Sequence, residues 1–146
     1  MKISINIDDK YKDTEISVCC NQLTPEIEKM ISVIRIFDMQ ITGKKGGEIF
    51  ILNAADVIYI DTVDKKTFLY TSTDVYESGL KLYELEDRLE QMDFVRIGKS
   101  CILNMKHIVS LKGDLNRRIK VTMTNQEQLI ISRQYAEGIK KRLGVN

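Results

Sequence analysis

The stretch Phe94-Val95-Arg96-Ile97-Gly98-Lys99-Ser100-Cys101-Ile102-Leu103-Asn104 decides the fold of this chain. Two short apolar runs, 94–97 and 101–103, flank a connection made of glycine, lysine and serine, which is the pattern of two short strands. The cations stand at the ends of these runs. The pattern therefore predicts a β-structure that holds positive charge at the loop between its strands.

Similar short runs fill most of the chain after residue 47. They are Glu48–Asn53, Val57–Thr62, Thr67–Ser72, Val75–Ser78, Ile108–Lys112, Ile119–Thr124 and Gln128–Ser132. Two helices interrupt them. One has leucines at positions 82, 85 and 89 on a single face, and the other begins after Ser132 and ends before Gly144. The predicted class is mostly β (α+β), with short antiparallel strands and small helices.

The N-terminal segment predicts a separate β-β-α unit. Isoleucines alternate with polar residues over 3–7, a second strand is predicted over 15–20, and a helix begins at Thr24-Pro25 with Thr24 as its N-cap. The glycine- and lysine-rich stretch 42–47 is typical of a linker. We therefore expect a unit of residues 1–42 and a domain of residues 43–146.

Charge is distributed unevenly along the chain. Residues 96–146 contain eleven Lys or Arg and three acids, whereas residues 46–95 contain four bases and eleven acids. The formal net charge of +1 therefore hides a basic C-terminal third. Cations at strand ends can face a polyanion together, which favours nucleic-acid binding, although surface cations are also common in other proteins.

Several other classes of protein are disfavoured. No run approaches the roughly 20 apolar residues that cross a bilayer, and the alternating N-terminus lacks a signal-peptide core, so a cytoplasmic location is expected. Three cysteines, two of them adjacent, make a poor disulfide framework, and no Cys/His cluster has metal-ligand spacing. No metal or cofactor is predicted.

An enzyme is not predicted either. The single histidine, His107, has no nucleophile turn or orienting acid around it, and is interpreted as a partly exposed residue near a turn. The glycines at 43, 46 and 47 do not match a phosphate-binding loop. The acids between 84 and 90 are better explained by the solvated face of a helix.

Residues from about 40 to 144 resemble the LytTR-type DNA-binding domain of bacterial regulators, and four ordered blocks carry the resemblance. The blocks are Asp56-Val57-Ile58-Tyr59-Ile60 followed by Lys66-Thr67, then Leu82-Tyr83-Glu84-Leu85-Glu86, the stretch 94–104 quoted above, and Ile131-Ser132-Arg133-Gln134-Tyr135. The resemblance implies short antiparallel strands that bind double-stranded DNA through loops between strands.

The resemblance also implies functional residues. Lys66, Lys99 and Arg133 match the base-contacting positions of the family. The phosphate contacts implied are Lys65, Lys81, Ser100, Arg117, Arg118 and Gln134. Asn104 is expected to fix the turn at 105–107 by bonding local backbone.

The 42 residues before the domain are too few for a phospho-receiver domain, so control by phosphorylation is not expected. Similar stand-alone members imply a small membrane regulatory protein as a partner. The predicted function is a sequence-specific transcription regulator that contacts the major groove and binds tandem half-sites as a homodimer, with residues 1–42 supplying dimer contacts or a docking site. The alternative is a protein-interaction module with the same fold and no productive DNA binding.

Overall fold

The computed structural model of the protein describes residues 1–145. Its helices and strands, in chain order, are α1 (Pro25–Phe37), β1 (Gln40–Lys45), β2 (Glu48–Asn53), β3 (Tyr59–Val63), β4 (Lys66–Tyr70), β5 (Val75–Ser78), α2 (Leu82–Leu89), β6 (Phe94–Arg96), β7 (Cys101–Asn104), β8 (Ile108–Gly113), β9 (Ile119–Met123), β10 (Gln128–Ile131) and α3 (Arg133–Leu143). A seven-stranded sheet has the order β2-β1-β5-β4-β3-β7-β6, and a three-stranded sheet has the order β10-β9-β8. The predicted class, mostly β with small helices, is confirmed.

Apolar layers cover both faces of the central strands of the seven-stranded sheet. Successive residues of a strand point to opposite faces. The paired residues Ile60 and Ile102 belong to a core shared with α1 and α2, whereas the neighbouring pair Tyr59 and Leu103 belongs to a core shared with the small sheet and α3. This explains why the central strands are apolar at consecutive positions instead of at alternating ones.

The predicted helix ends agree with the structure. Thr24 Oγ1 accepts a hydrogen bond from Ile27 N at 3.3 Å at the start of α1. Gly144 ends α3 with φ of 70°, a left-handed conformation that glycine adopts at little cost. None of the helices in residues 1–145 has the length and apolar character needed to cross a membrane.

The two predicted N-terminal strands are wrong. Residues 1–24 form neither helix nor strand, and Ile3, Ile5 and Ile7 are 81%, 82% and 95% exposed. Alternation alone does not make a strand, because a pair of strands without a third strand or an apolar cover is only marginally stable in water. No other part of residues 1–145 supplies that cover.

The predicted boundary between residues 42 and 43 falls inside β1. Gly46 and Gly47, with φ of 59° and 80°, form the two-residue turn of the β1–β2 hairpin rather than a linker. Ile36 of α1 and Ile41 of β1 are 4% and 1% exposed in the same core as Leu69. Both elements therefore belong to the body of the seven-stranded sheet.

Gly43 is required by the close approach of β1 to β5. A Cβ atom added at Gly43 would lie 2.6 Å from Tyr76 Cβ, an atom next to the backbone that cannot swing away. We expect Gly43→Ala to lower the free energy of unfolding by about 1–3 kcal/mol through overpacking. Urea denaturation followed by circular dichroism measures the loss.

Gly138→Ala is the matched control. Gly138 lies within α3, and an added Cβ would meet nothing within 4 Å. Replacing it should leave stability unchanged or raise it by up to about 1 kcal/mol, since alanine favours a helix over glycine. Similar losses from the two substitutions would contradict the close approach at Gly43.

Candidate nucleic-acid interface

The β3–β4 hairpin presents two lysines at its tip. Asp64 and Lys65, the central residues of the turn, have φ of 52° and 66°, and positive values at both positions are typical of a tight type I′ hairpin turn. Lys66 pairs with Val63 directly beside the turn. Lys65 and Lys66 are both exposed. A short and tightly specified turn therefore projects both lysines from the end of the sheet.

The loop between β6 and β7 lies beside this hairpin. Asp61 of β3 is paired with Cys101 of β7, and Thr62 N donates a hydrogen bond to Ser100 O at 2.8 Å. Lys99 and Ser100 are exposed. The antiparallel register of β3 and β7 thus brings the turn at 63–66 and the loop at 97–100 to the same end of the sheet.

The beginning of α3 is attached to the same loop. Ser132 N donates to Ile97 O at 2.9 Å, and Arg133 and Gln134 follow as exposed residues of the first helical turn. The three predicted base-contacting residues therefore come from segments that meet. We call this end of the molecule, made of segments 63–66, 97–100 and 132–134, the loop end.

The remaining predicted phosphate ligands also belong to segments that end on this side. Arg117 and Arg118 lie in the β8–β9 connection, and Ile119 next to them pairs with Ile131, which immediately precedes the start of α3. Lys81 follows β5, whose last residue, Ser78, pairs with Thr67 near the start of β4. Arg117, Arg118 and Lys81 are exposed.

Some of these cations are paired with an acid of the same chain and others are not. Arg118 Nη2 lies 3.2 Å from Asp114 Oδ2, so its charge is partly neutralised within the chain. Lys65, Lys66, Lys99 and Arg133 form no ion pair with any described residue. An exposed cation without an internal partner is available to an external anion such as phosphate.

A cluster of partly buried polar groups lies behind the loop end. Tyr70 OH donates to Asp61 Oδ2 at 3.2 Å, while Asp61 Oδ1 has no hydrogen-bond partner among residues 1–145. Burial raises the pKa of Asp61, and the hydrogen bond from Tyr70 partly offsets this. Burial also raises the pKa of Cys101 to about 12, which keeps it a thiol near neutral pH and removes it as a nucleophile.

Arg96 is a residue of this region that the sequence did not single out as functional. Its Nε donates to Gly98 O at 2.6 Å, its Nη2 donates to Lys99 O, and its Nη1 donates to Glu86 Oε1 at 2.8 Å. The sequence showed only a cation two residues before a glycine. Its partner on α2, ten residues earlier, becomes visible only in the folded chain.

Two side chains tie the opposite end of the molecule together. Asn104, which is 1% exposed, accepts from Lys106 N at 3.0 Å as expected, and its amide also donates to Val57 O at 3.0 Å. The His107 ring bridges Thr124 Oγ1 at 2.7 Å and Ala55 O at 2.6 Å. His107 is half-buried near a turn as predicted, but its link between the two sheets was missed, because neither partner is near it in sequence.

A cleft of about 670 Å³ lies between α2 and α3. Its charged lining residues are mixed in sign: the acids Glu84, Glu86, Asp87 and Glu90 lie beside the arginines Arg88, Arg96 and Arg142. In the part of the chain that the structure describes, no three His, Cys, Asp or Glu residues are grouped to hold a metal ion. The cleft of mixed charge and the basic loop end are therefore chemically distinct surfaces.

Comparison with known proteins finds a matching family model and a solved structure with a similar fold. The family model described as the LytTr DNA-binding domain matches residues 47–144. The LytTr DNA-binding domain of a protein from Bacillus cereus, described as a methyl-accepting/DNA response regulator, superposes with a TM-score of 0.69 at 27% identity, over 73% of this chain and 97% of that one.

Relatives that match along almost their whole length are described as transcriptional regulators. An uncharacterised HTH-type transcriptional regulator of Staphylococcus aureus strain MSSA476 is 31% identical over 147 residues, and one of strain NCTC 8325 is 30% identical, each match covering 99% of both chains. Despite that label, five strands separate α1 from α2 and five separate α2 from α3, so residues 1–145 contain no helix-turn-helix. The match over 47–144 shows instead that the chain belongs to the LytTR DNA-binding domain family.

Proposed function

We propose that this protein is a cytoplasmic transcription regulator that binds duplex DNA in a sequence-specific way through the loop end. The observation that carries the proposal is the convergence of segments 63–66, 97–100 and 132–134, linked by the hydrogen bonds Thr62 N to Ser100 O and Ser132 N to Ile97 O. Cations on three connected segments can contact one polyanion at the same time, whereas scattered surface cations cannot.

Lys66, Lys99 and Arg133 contact base edges in this proposal. Lysine and arginine donate to O6 and N7 of guanine in the major groove, which is wide enough for a β-ribbon or a helix end. All three are exposed, and none forms an ion pair with another residue of 1–145, so their own contacts with DNA break no salt bridge in that part of the chain.

Phosphate contacts surround these residues. The proposed ligands are Lys65, Lys81, Ser100, Arg117, Arg118 and Gln134. Gln134 lies in the first turn of α3, where the helix dipole places partial positive charge on the backbone N–H groups beside its side-chain amide. Arg118 must share its charge between Asp114 and the phosphate. Of the two arginines in the β8–β9 connection, we therefore assign it the weaker phosphate contact.

Residues 1–42 are assigned to contact with a second copy of the chain, so that two molecules occupy neighbouring half-sites. Ile3, Ile5 and Ile7 are almost fully exposed, and β2 is a free edge of the seven-stranded sheet with Ile49 and Ile51 about half exposed. A free edge and an apolar alternating segment are complementary for strand addition. A small membrane regulatory protein is the alternative occupant of this segment.

DNA binding through phosphates predicts a strong dependence on salt. The logarithm of the association constant for random duplex should fall linearly with the logarithm of salt concentration, with a slope of about −0.9 for each phosphate contacted. Fluorescence anisotropy titrations at several salt concentrations measure the slope. A flat response would favour the protein-interaction module over the regulator.

Arg133→Ala tests the assignment of base contact. On a site selected from a random duplex pool, it should cost about 1–3 kcal/mol of binding free energy, and much less on random duplex. Lys140→Ala, on the same helix and 3.9 Å from Glu137, should weaken both complexes slightly and to a similar degree. The assignment fails if the two variants lose affinity in the same way on both kinds of DNA.

Substitutions on the two faces of the N-terminal segment test self-association. Ile5→Asp should reduce dimer formation in sedimentation equilibrium, because it places a charge on the apolar face. Asn6→Asp, which adds the same charge on the opposite face, should leave the dimer intact. If the wild-type chain is monomeric both alone and on DNA, the dimer role is contradicted, and the membrane regulatory protein becomes the favoured partner of this segment.

A further inference from the structure

We infer that Arg96, held by Glu86, sets the conformation of the loop at 97–100 and so determines which base pair Lys99 contacts. Arg96 is a positioning residue in this role and does not touch DNA. The inference rests on the proposed base contact of Lys99 and adds the element that controls its specificity.

Arg96 donates one hydrogen bond within the chain from each of its three guanidinium nitrogens. Nε and Nη2 donate to the carbonyl oxygens of the consecutive residues Gly98 and Lys99, and Nη1 donates to Glu86. The planar fork of arginine suits several acceptors held in fixed positions, and the compact ammonium group of lysine cannot reproduce it. Arg96 therefore acts as a brace between the loop and α2.

The middle of the loop has no other support of this kind. The main chain holds its ends, since Ile97 N donates to Cys101 O at 3.0 Å and Thr62 N donates to Ser100 O. Among residues 1–145, no other hydrogen bond reaches the carbonyl oxygens of Gly98 and Lys99. Gly98 also has wide conformational freedom, so the segment would sample many conformations without the brace.

Glu86 connects the brace to a rigid part of the fold. It lies on α2, whose Leu82, Leu85 and Leu89 are 7%, 0% and 0% exposed in the core beneath the seven-stranded sheet. Core packing therefore fixes the backbone of α2, and the Glu86 side chain, 42% exposed, reaches from it to one arm of the guanidinium. The loop conformation then depends on α2 as well as on its own flanking strands.

The surroundings of Arg96 separate this role from phosphate binding. Its side chain is only 18% exposed and its charge is already paired with Glu86. A phosphate ligand lost by mutation lowers the salt slope by about one, whereas a positioning residue leaves the slope unchanged and alters sequence preference. The two roles therefore predict different measurements.

Arg96→Lys and Glu86→Gln are the test variants, with the exposed pair Arg88→Lys and Glu90→Gln as controls on the same helix region. Base preferences come from selection in a random duplex pool, and Lys99→Ala identifies the base pair that Lys99 contacts. We expect Arg96→Lys to reduce preference at that base pair about tenfold, which corresponds to about 1.4 kcal/mol, with an unchanged salt slope and little effect from the controls. Combining it with Lys99→Ala should add no further loss there.

Backbone ¹⁵N relaxation gives a readout that does not need DNA. Order parameters of Gly98, Lys99 and Ser100 should fall from about 0.85 towards 0.6 or below in Arg96→Lys, and by a smaller amount in Glu86→Gln, while the rest of the chain stays rigid. Unchanged order parameters, a retained base preference or a salt slope reduced by one would each overturn the inference. If the wild-type chain binds no duplex, the proposed function fails, and the relaxation data still decide whether Arg96 braces the loop.

Discussion

The apolar interface between the two sheets is the constraint on which the loop end depends. Ile58, Leu103, Val121, Ile131 and Ile139 are each 0–1% exposed, and side chains of this kind contribute roughly 1.5–3 kcal/mol each when removed from water. The interface holds the small sheet and α3 against the seven-stranded sheet. Because of it, the first turn of α3 stays attached to the loop after β6, and cations from distant parts of the chain become neighbours.

The loop end differs from a recognition helix in how its side chains are positioned. Strand register sets where the β3–β4 turn and the β6–β7 loop lie, and main-chain hydrogen bonds set where α3 begins. A helix presents several side chains from one rigid body, whereas three loops need separate supports. The tight turn at Asp64-Lys65 and the side chain of Arg96 are two such supports, each local to one loop.

The N-terminal segment illustrates the limit of a local pattern. Alternating isoleucines indicate a strand, but a strand also needs an edge with which to pair. Within residues 1–145 this segment has none, and its isoleucines remain in solvent at a cost that an apolar partner would remove. The error at residue 42 has a related cause: glycines typical of a linker also form the tightest hairpin turns, and the choice between them depends on whether both flanking segments have a place in a sheet.

Local features were determined by the sequence itself. Thr24 and Pro25 start a helix, Gly144 ends one, and apolar runs at 48–53, 75–78 and 101–103 become strands, because caps, turns and side-chain alternation act over a few residues. The ordered blocks at 56–67, 82–86, 94–104 and 131–135 were sufficient to recognise the family. Only the tertiary structure decided which cations lie together, which of them are neutralised, and which residue holds the loop of Lys99. Those properties depend on contacts such as Arg96 with Glu86 and Ser132 with Ile97, whose partners are distant in sequence and are brought together by burial of the apolar layers.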